Sequence, residues 1–201
     1  MKRSLLVLAA LLIPMFGAVA AHADSIVVTE TTTAAGSLDG IGFTNALVTL
    51  TLTGSTTNVS SLGGVFELPG TATVSVLGDG ADTFTDNVNA VVNQNFEDSG
   101  FGDFTNNFGI LFTQNPALST YDVESSIGPL SGTDSFNKNV AFSTLGGAFD
   151  ITFTTGSATF TATVGNVPEP SCLLLLGMGF ASLLGMSIWK NTVRRAAWKW
   201  N

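Results

Sequence analysis

The chain has 201 residues, a formal net charge of −8, one cysteine and one histidine. Cys172 and His22 lie outside residues 24–166, so that stretch has no disulfide, no thiol nucleophile, no His-based triad and no zinc site of the usual His/Cys kind. It carries fourteen carboxylates against one base, Lys138, a balance that repels nucleic acid and suits cations, basic partners or solubility.

In chain order, residues 1–23 have the three parts of a secretory signal. Lys2 and Arg3 start it, Leu5 to Val19 is almost wholly apolar, and Ala21-His22-Ala23 is a small-x-small cleavage site with Ala21 and Ala23 as the small residues. The run is short for a spanning helix, and Pro14 and Gly17 interrupt it. The expectation is a signal peptide and export through the inner membrane.

Residues 24–166 hold 25 threonines. Threonine is β-branched and fits a pleated, half-buried surface better than a helix. In Val48-Thr-Leu50-Thr-Leu52-Thr53, apolar and polar residues alternate strictly. Phe149-Asp-Ile151-Thr-Phe153-Thr154 and Ala158-Thr-Phe160-Thr-Ala162-Thr-Val164 do the same. Period two puts the apolar set on one face and the threonines on the other, as in antiparallel strands with one buried and one wet face. Further strands are expected at 25–33, 64–68, 71–77, 83–92, 107–113, 117–123 and 138–145. Gly-rich turns such as Gly63-Gly64, Pro69-Gly70, Gly78 to Gly80, Gly128-Pro129 and Gly146-Gly147 separate many of them. Thr155-Gly156 between the last two strands reads as a hairpin turn. The expected fold is all-β, an antiparallel β-sandwich of about eight to ten strands. Asn58-Val-Ser60 fits the acceptor pattern for N-glycosylation.

No phosphate-binding glycine loop is present, and nothing marks any two carboxylates as a catalytic pair, so the expectation is that the protein is not an enzyme. Asp79, Asp82, Asp86, Glu97, Asp98 and Asp103 crowd a Gly- and Asn-rich stretch. Ca²⁺ takes six to eight oxygen ligands from such groups, so Asp79, Asp82 and Asp86 are candidate ligands of a loop-stabilising ion. The spacing fits neither the EF-hand loop nor the Gly-rich nonapeptide repeat. Ca²⁺ is the one cofactor the composition suggests.

Residues 167–201 change character. Val167-Pro168-Glu169-Pro170-Ser171 is held extended by its two prolines. Residues 172–189 carry no charge, and as a helix they would cover roughly 27 Å, about a bilayer core. Lys190, Arg194, Arg195 and Lys199 follow as a basic stop. By the positive-inside rule that end stays in the cytoplasm and the body lies across the membrane. Gly177, Ala181 and Gly185 line one face of the expected helix with small side chains.

The order of short motif, apolar span and basic end resembles the PEP-CTERM sorting signal of Gram-negative bacteria. Pro168-Glu169-Pro170 stands as its motif, followed by the Leu- and Gly-rich span and Arg194-Arg195. One departure is that Lys190 comes early and the basic residues are spread over ten positions. The resemblance implies recognition by exosortase, a membrane-embedded transpeptidase-like enzyme that cuts near the motif. It also implies delivery to the cell surface or extracellular matrix and association with exopolysaccharide and biofilm. Before processing the chain is membrane-anchored through its C-terminal helix. In this reading Pro168, Glu169 and Pro170 are substrate determinants.

Two roles remain open for the exported body. One is structural. The other is an adhesion module that binds carbohydrate or Ca²⁺, disfavoured for sugar because residues 24–166 contain no Trp and only Tyr121 as tyrosine.

Overall fold

Where threonine and aliphatic residues alternate, the chain forms strands. The computed structural model describes residues 24–103, 106 and 108–165. The expected signal peptide, the Pro-Glu-Pro motif, the apolar span and the basic stop lie outside these residues.

The strands run β1 Ser25–Leu38, β2 Ile41–Ser55, β3 Ser60–Leu62, β4 Val65–Leu68, β5 Gly70–Val76 and β6 Gly80–Thr83. They continue as β7 Val88–Asn93, β8 Asp98–Asp103, β9 Phe108–Gln114, β10 Ile127–Ser135, β11 Phe142–Ser143 and β12 Ala148–Gly165. Two short 3-10 turns, Thr56–Asn58 and Pro116–Thr120, interrupt them. The fold is all-β and antiparallel. The strands follow one path, β3-β4-β7-β8-β9-β10-β12-β1-β2-β5-β6, with β11 paired to β12 off it. This single sheet curls: β5 packs against β7 and β1 against β9, though neither pair are neighbours on the path.

Twelve strands exceed the eight to ten expected, and several boundaries differ. The expected hairpin at Thr155-Gly156 does not form. Thr154 pairs with Ala34 and Ala158 with Thr32, so both halves of β12 lie along β1 as one strand. The extra residues bulge out there, and Gly156 takes φ 85°. A hairpin would need the two halves to pair with each other. The 14-residue β1 instead offers both a common partner.

Residues 117–123 are not a strand: Pro116 starts a 3-10 turn, and Asn115 Oδ1 caps it by accepting from Ala117 N at 2.9 Å. The expected 83–92 strand splits into the end of β6 and β7. Of 138–145 only the two-residue β11 is strand.

On β1 the inward set is Ile26, Val28, Glu30, Thr32 and Ala34, all buried. Val48, Leu50 and Leu52 of β2, Val74 and Val76 of β5, and Phe160 and Ala162 of β12 line the same core. Phe149 stacks on Phe43 at 6.3 Å between ring centres and meets Phe84 edge-on at 6.0 Å. β7 and β8 are buried along nearly their whole length, partly because the Pro116–Thr120 turn packs on both and inserts Leu118.

The outward set is different. Strand register aligns Thr161, Thr29, Thr51 and Thr73 across β12, β1, β2 and β5. The next row is Thr159, Thr31, Thr49 and Ser75, and Ser131 of β10 extends it at 2.9 Å from Thr159. The row on the other side is Thr163, Val27, Thr53 and Thr71. Eleven of these twelve four-strand positions carry a hydroxyl, and every one is half-buried or exposed.

Candidate functional site

The sorting residues Pro168, Glu169 and Pro170, the cleavage residues Ala21 and Ala23 and the basic residues Lys190, Arg194 and Arg195 lie outside the described residues. Within them, two groups of polar side chains stand out.

The first is at the end of the sheet where β5–β6, β1–β2 and β11–β12 turn. Asp79 sits in the turn before β6, Asp82 on β6 and Asp86 after it. The fold does not aim these three at one point. Asp82 Oδ2 accepts from Gly146 N at 2.5 Å and Oδ1 from Thr83 N at 2.7 Å, while Asp86 Oδ2 accepts from Ser143 N at 2.6 Å. These bonds tie the β6 edge to the β11–β12 loop. The backbone bonds from Gly146 and Thr83 hold the Asp82 carboxyl below the usual aspartate range.

The neighbour of Asp82 is one the sequence did not suggest. Asp39, in the β1–β2 turn, accepts from Thr144 Oγ1 at 2.7 Å. A Cβ at Gly146 would lie 2.7 Å from Asp39 Oδ2 and 2.9 Å from Asp82 Oδ2, so the two carboxylates share the space a glycine leaves open. Asp98 and Asp103, grouped with the others by sequence, stand at opposite ends of β8, paired with Asn93 and Val88. Among the described residues no group of three or more His, Cys, Asp or Glu side chains converges to hold a metal ion.

The second group is buried. Glu30 is fully enclosed on the inward face of β1. Its Oε1 accepts from Thr113 Oγ1 of β9 at 2.6 Å. Its Oε2 lies where Gly100 of β8 has no side chain, 2.9 Å from the position a Cβ would take. Ser99, paired in register with Thr113, is also fully buried. Glu30 Oε2 and Ser99 Oγ find no hydrogen-bond partner among the described residues. Burial pushes the Glu30 carboxyl well above the usual glutamate range, against the pull of the Thr113 bond, and Asp134 and Asp98 push it further up. Burial thus favours the protonated, uncharged form of the acid, the form whose enclosure in a core without a basic partner costs least.

Position in the strand could have revealed Glu30. It shares the parity of Ile26, Val28 and Ala34, so period two places it inward. Asp39 had no such signal, because its closeness to Asp82 depends on how distant turns meet.

No protein-family model, curated protein or solved structure matches this chain.

Proposed function

We propose that the protein is exported, sorted by exosortase to the cell surface or extracellular matrix, and structural in role, in association with exopolysaccharide or biofilm. The observation that carries this reading is the order at the C-terminus: Pro168-Glu169-Pro170, an uncharged run over 172–189, then Lys190, Arg194 and Arg195. An N-terminal segment with the three parts of a secretory signal supports it from the other end. So does the position of the folded body, whose last strand ends at Gly165, three residues before Pro168. Processing there would release the β body whole.

In this reading the curled sheet works as a β-sandwich, with its β12-β1-β2-β5 side laid over its β7-β8-β9 side. Its stability comes from core burial and backbone pairing, which needs no disulfide outside the cell.

Mass spectrometry of the product recovered from its native cells tests the proposal. The expected product starts at Asp24 and lacks the residues beyond the Pro-Glu-Pro motif. Replacing Pro168 and Pro170 by alanine should leave the chain unprocessed in the membrane. Recovery of surface product that still carries Trp200 and Asn201 overturns the reading.

A further inference from the structure

The threonine rows on the outward face of β12, β1, β2 and β5 are not just what a strand wears toward water. Along β1 from Val27 to Thr33, and across the strands paired to it there, none of the fourteen carboxylates of residues 24–166 occupies an outward position. The first acid on that face is Asp150, at the far end, where Ser37 N and Ser37 Oγ donate to its Oδ1 at 2.6 and 2.7 Å. The face also gathers apolar side chains. Val27 lies within the rows and Leu47, Leu77 and Phe153 border them, four of the nine large hydrophobic residues exposed among the described residues. Leu47 faces Thr33, and Leu77 is tied beside it by the bond from Leu77 N to Leu47 O at 2.9 Å.

We infer that this face is where a second copy of the chain docks, face to face about a two-fold axis. Charge selects the occupant. The body carries a strong negative charge, so two copies repel wherever their acidic surfaces meet. On this face they can approach without opposing carboxylates. A two-fold contact needs a self-complementary patch, and an uncharged array of methyl and hydroxyl groups fulfils that, since each hydroxyl both donates and accepts. The size also fits. Strands about 4.8 Å apart with a two-residue pitch of about 6.7 Å give the three rows about 400 Å² on four strands, and about 500 Å² with the bordering row. Two copies would then bury about 1,000 Å² in all, the lower end for a specific interface. The inference goes beyond sorting, because it concerns the folded body and holds whether or not the tail is cleaved.

The test uses the full chain in mild detergent, with protein mass per particle measured by light scattering. Wild type is expected at twice the chain mass. Thr29→Glu with Thr51→Glu sets like charges against their own symmetry mates at the centre of the face. The pair should weaken association by at least about 30-fold and give single chains. Leu62→Glu, on the exposed edge strand β3 away from the face, should leave the dimer intact. Far-UV circular dichroism is expected to match wild type for both variants, which separates loss of docking from loss of folding. A wild type that runs as single chains overturns the inference, as does a dimer that survives the paired glutamates. Single chains that instead sediment with an uncharged β-glucan, and lose that in the paired variant, would assign the face to a glycan and overturn it too. Tail processing is read separately by mass, so its failure is not confused with failure to dimerise.

Discussion

The two faces of β1 use the same 14 residues for opposite ends. Inward, Ile26, Val28, Glu30, Thr32 and Ala34 are almost closed to solvent, and Glu30 reaches Gly100 of β8 and Thr113 of β9 across the core. Outward, Val27, Thr29, Thr31 and Thr33 stand half in water in rows shared with three other strands. Threonine occurs on both sides, so residue type does not distinguish them; the neighbour does. Thr32 donates to the Ser157 carbonyl at 2.8 Å, and Thr113 spends its hydroxyl on Glu30. An inward hydroxyl needs a partner, because a buried polar group without one costs about 1–3 kcal/mol. An outward one has the solvent.

That contrast can be broken by substitution. The largest effect is expected inward at Leu50, which is fully buried opposite Glu30 in the β1–β2 register. Leu50→Ala should cost about 2–5 kcal/mol in urea unfolding. Thr113→Val keeps the shape of the side chain but removes the donor to Glu30, and should cost about 1–3 kcal/mol by the same measurement.

The third expected effect is a slope with pH. The unfolded chain ionises Glu30 at the ordinary glutamate value, while the folded chain holds its proton to a higher pH. Between those values the native state binds more protons, so this group's contribution to stability falls as pH rises. Glu30→Gln should remove that part of the slope, read as the difference between variant and wild-type urea midpoints from pH 4 to 8. A difference that stays constant would mean Glu30 is charged in the fold. The smallest effect belongs outside: Thr51→Ala, in the middle of the rows, should change stability by no more than about 0.5 kcal/mol.

The strands best read from sequence were those whose two faces differ. β2 and β12 alternate strictly because one side meets the core and the other meets water, and β5 was placed within a residue or two. β8 was missed for the converse reason. Asp98-Ser-Gly-Phe-Gly-Asp103 shows no alternation, since both its faces are covered, and it stands out in the sequence only as part of an acidic Gly- and Asn-rich stretch. At Gly100 the glycine answers to close approach, since a Cβ would fall 2.0 Å from the Leu111 carbonyl oxygen. β10 was hidden by Gly128-Pro129, taken for a turn although the strand runs through it. Of the candidate ligands, the sequence found Asp82 and Asp86 but grouped them with Asp79. The donors they bond, Gly146 and Ser143, come from β11 and the loop after it about 60 residues later, and local spacing carries no trace of such a meeting.

The order of the strands also sets a timetable. β1 is the first strand of the body in chain order and lies in the interior of the sheet, between β2 and β12. Its pairing with β12 joins Ser25 to Gly165, the two ends of the body. Until the last strand arrives, one edge of β1 stays open and the core beneath it is only half walled. Contacts this distant in sequence make for slow folding. The curled sheet thereby stays open until the C-terminal end of the body is in place, and closes only when Gly165 meets Ser25.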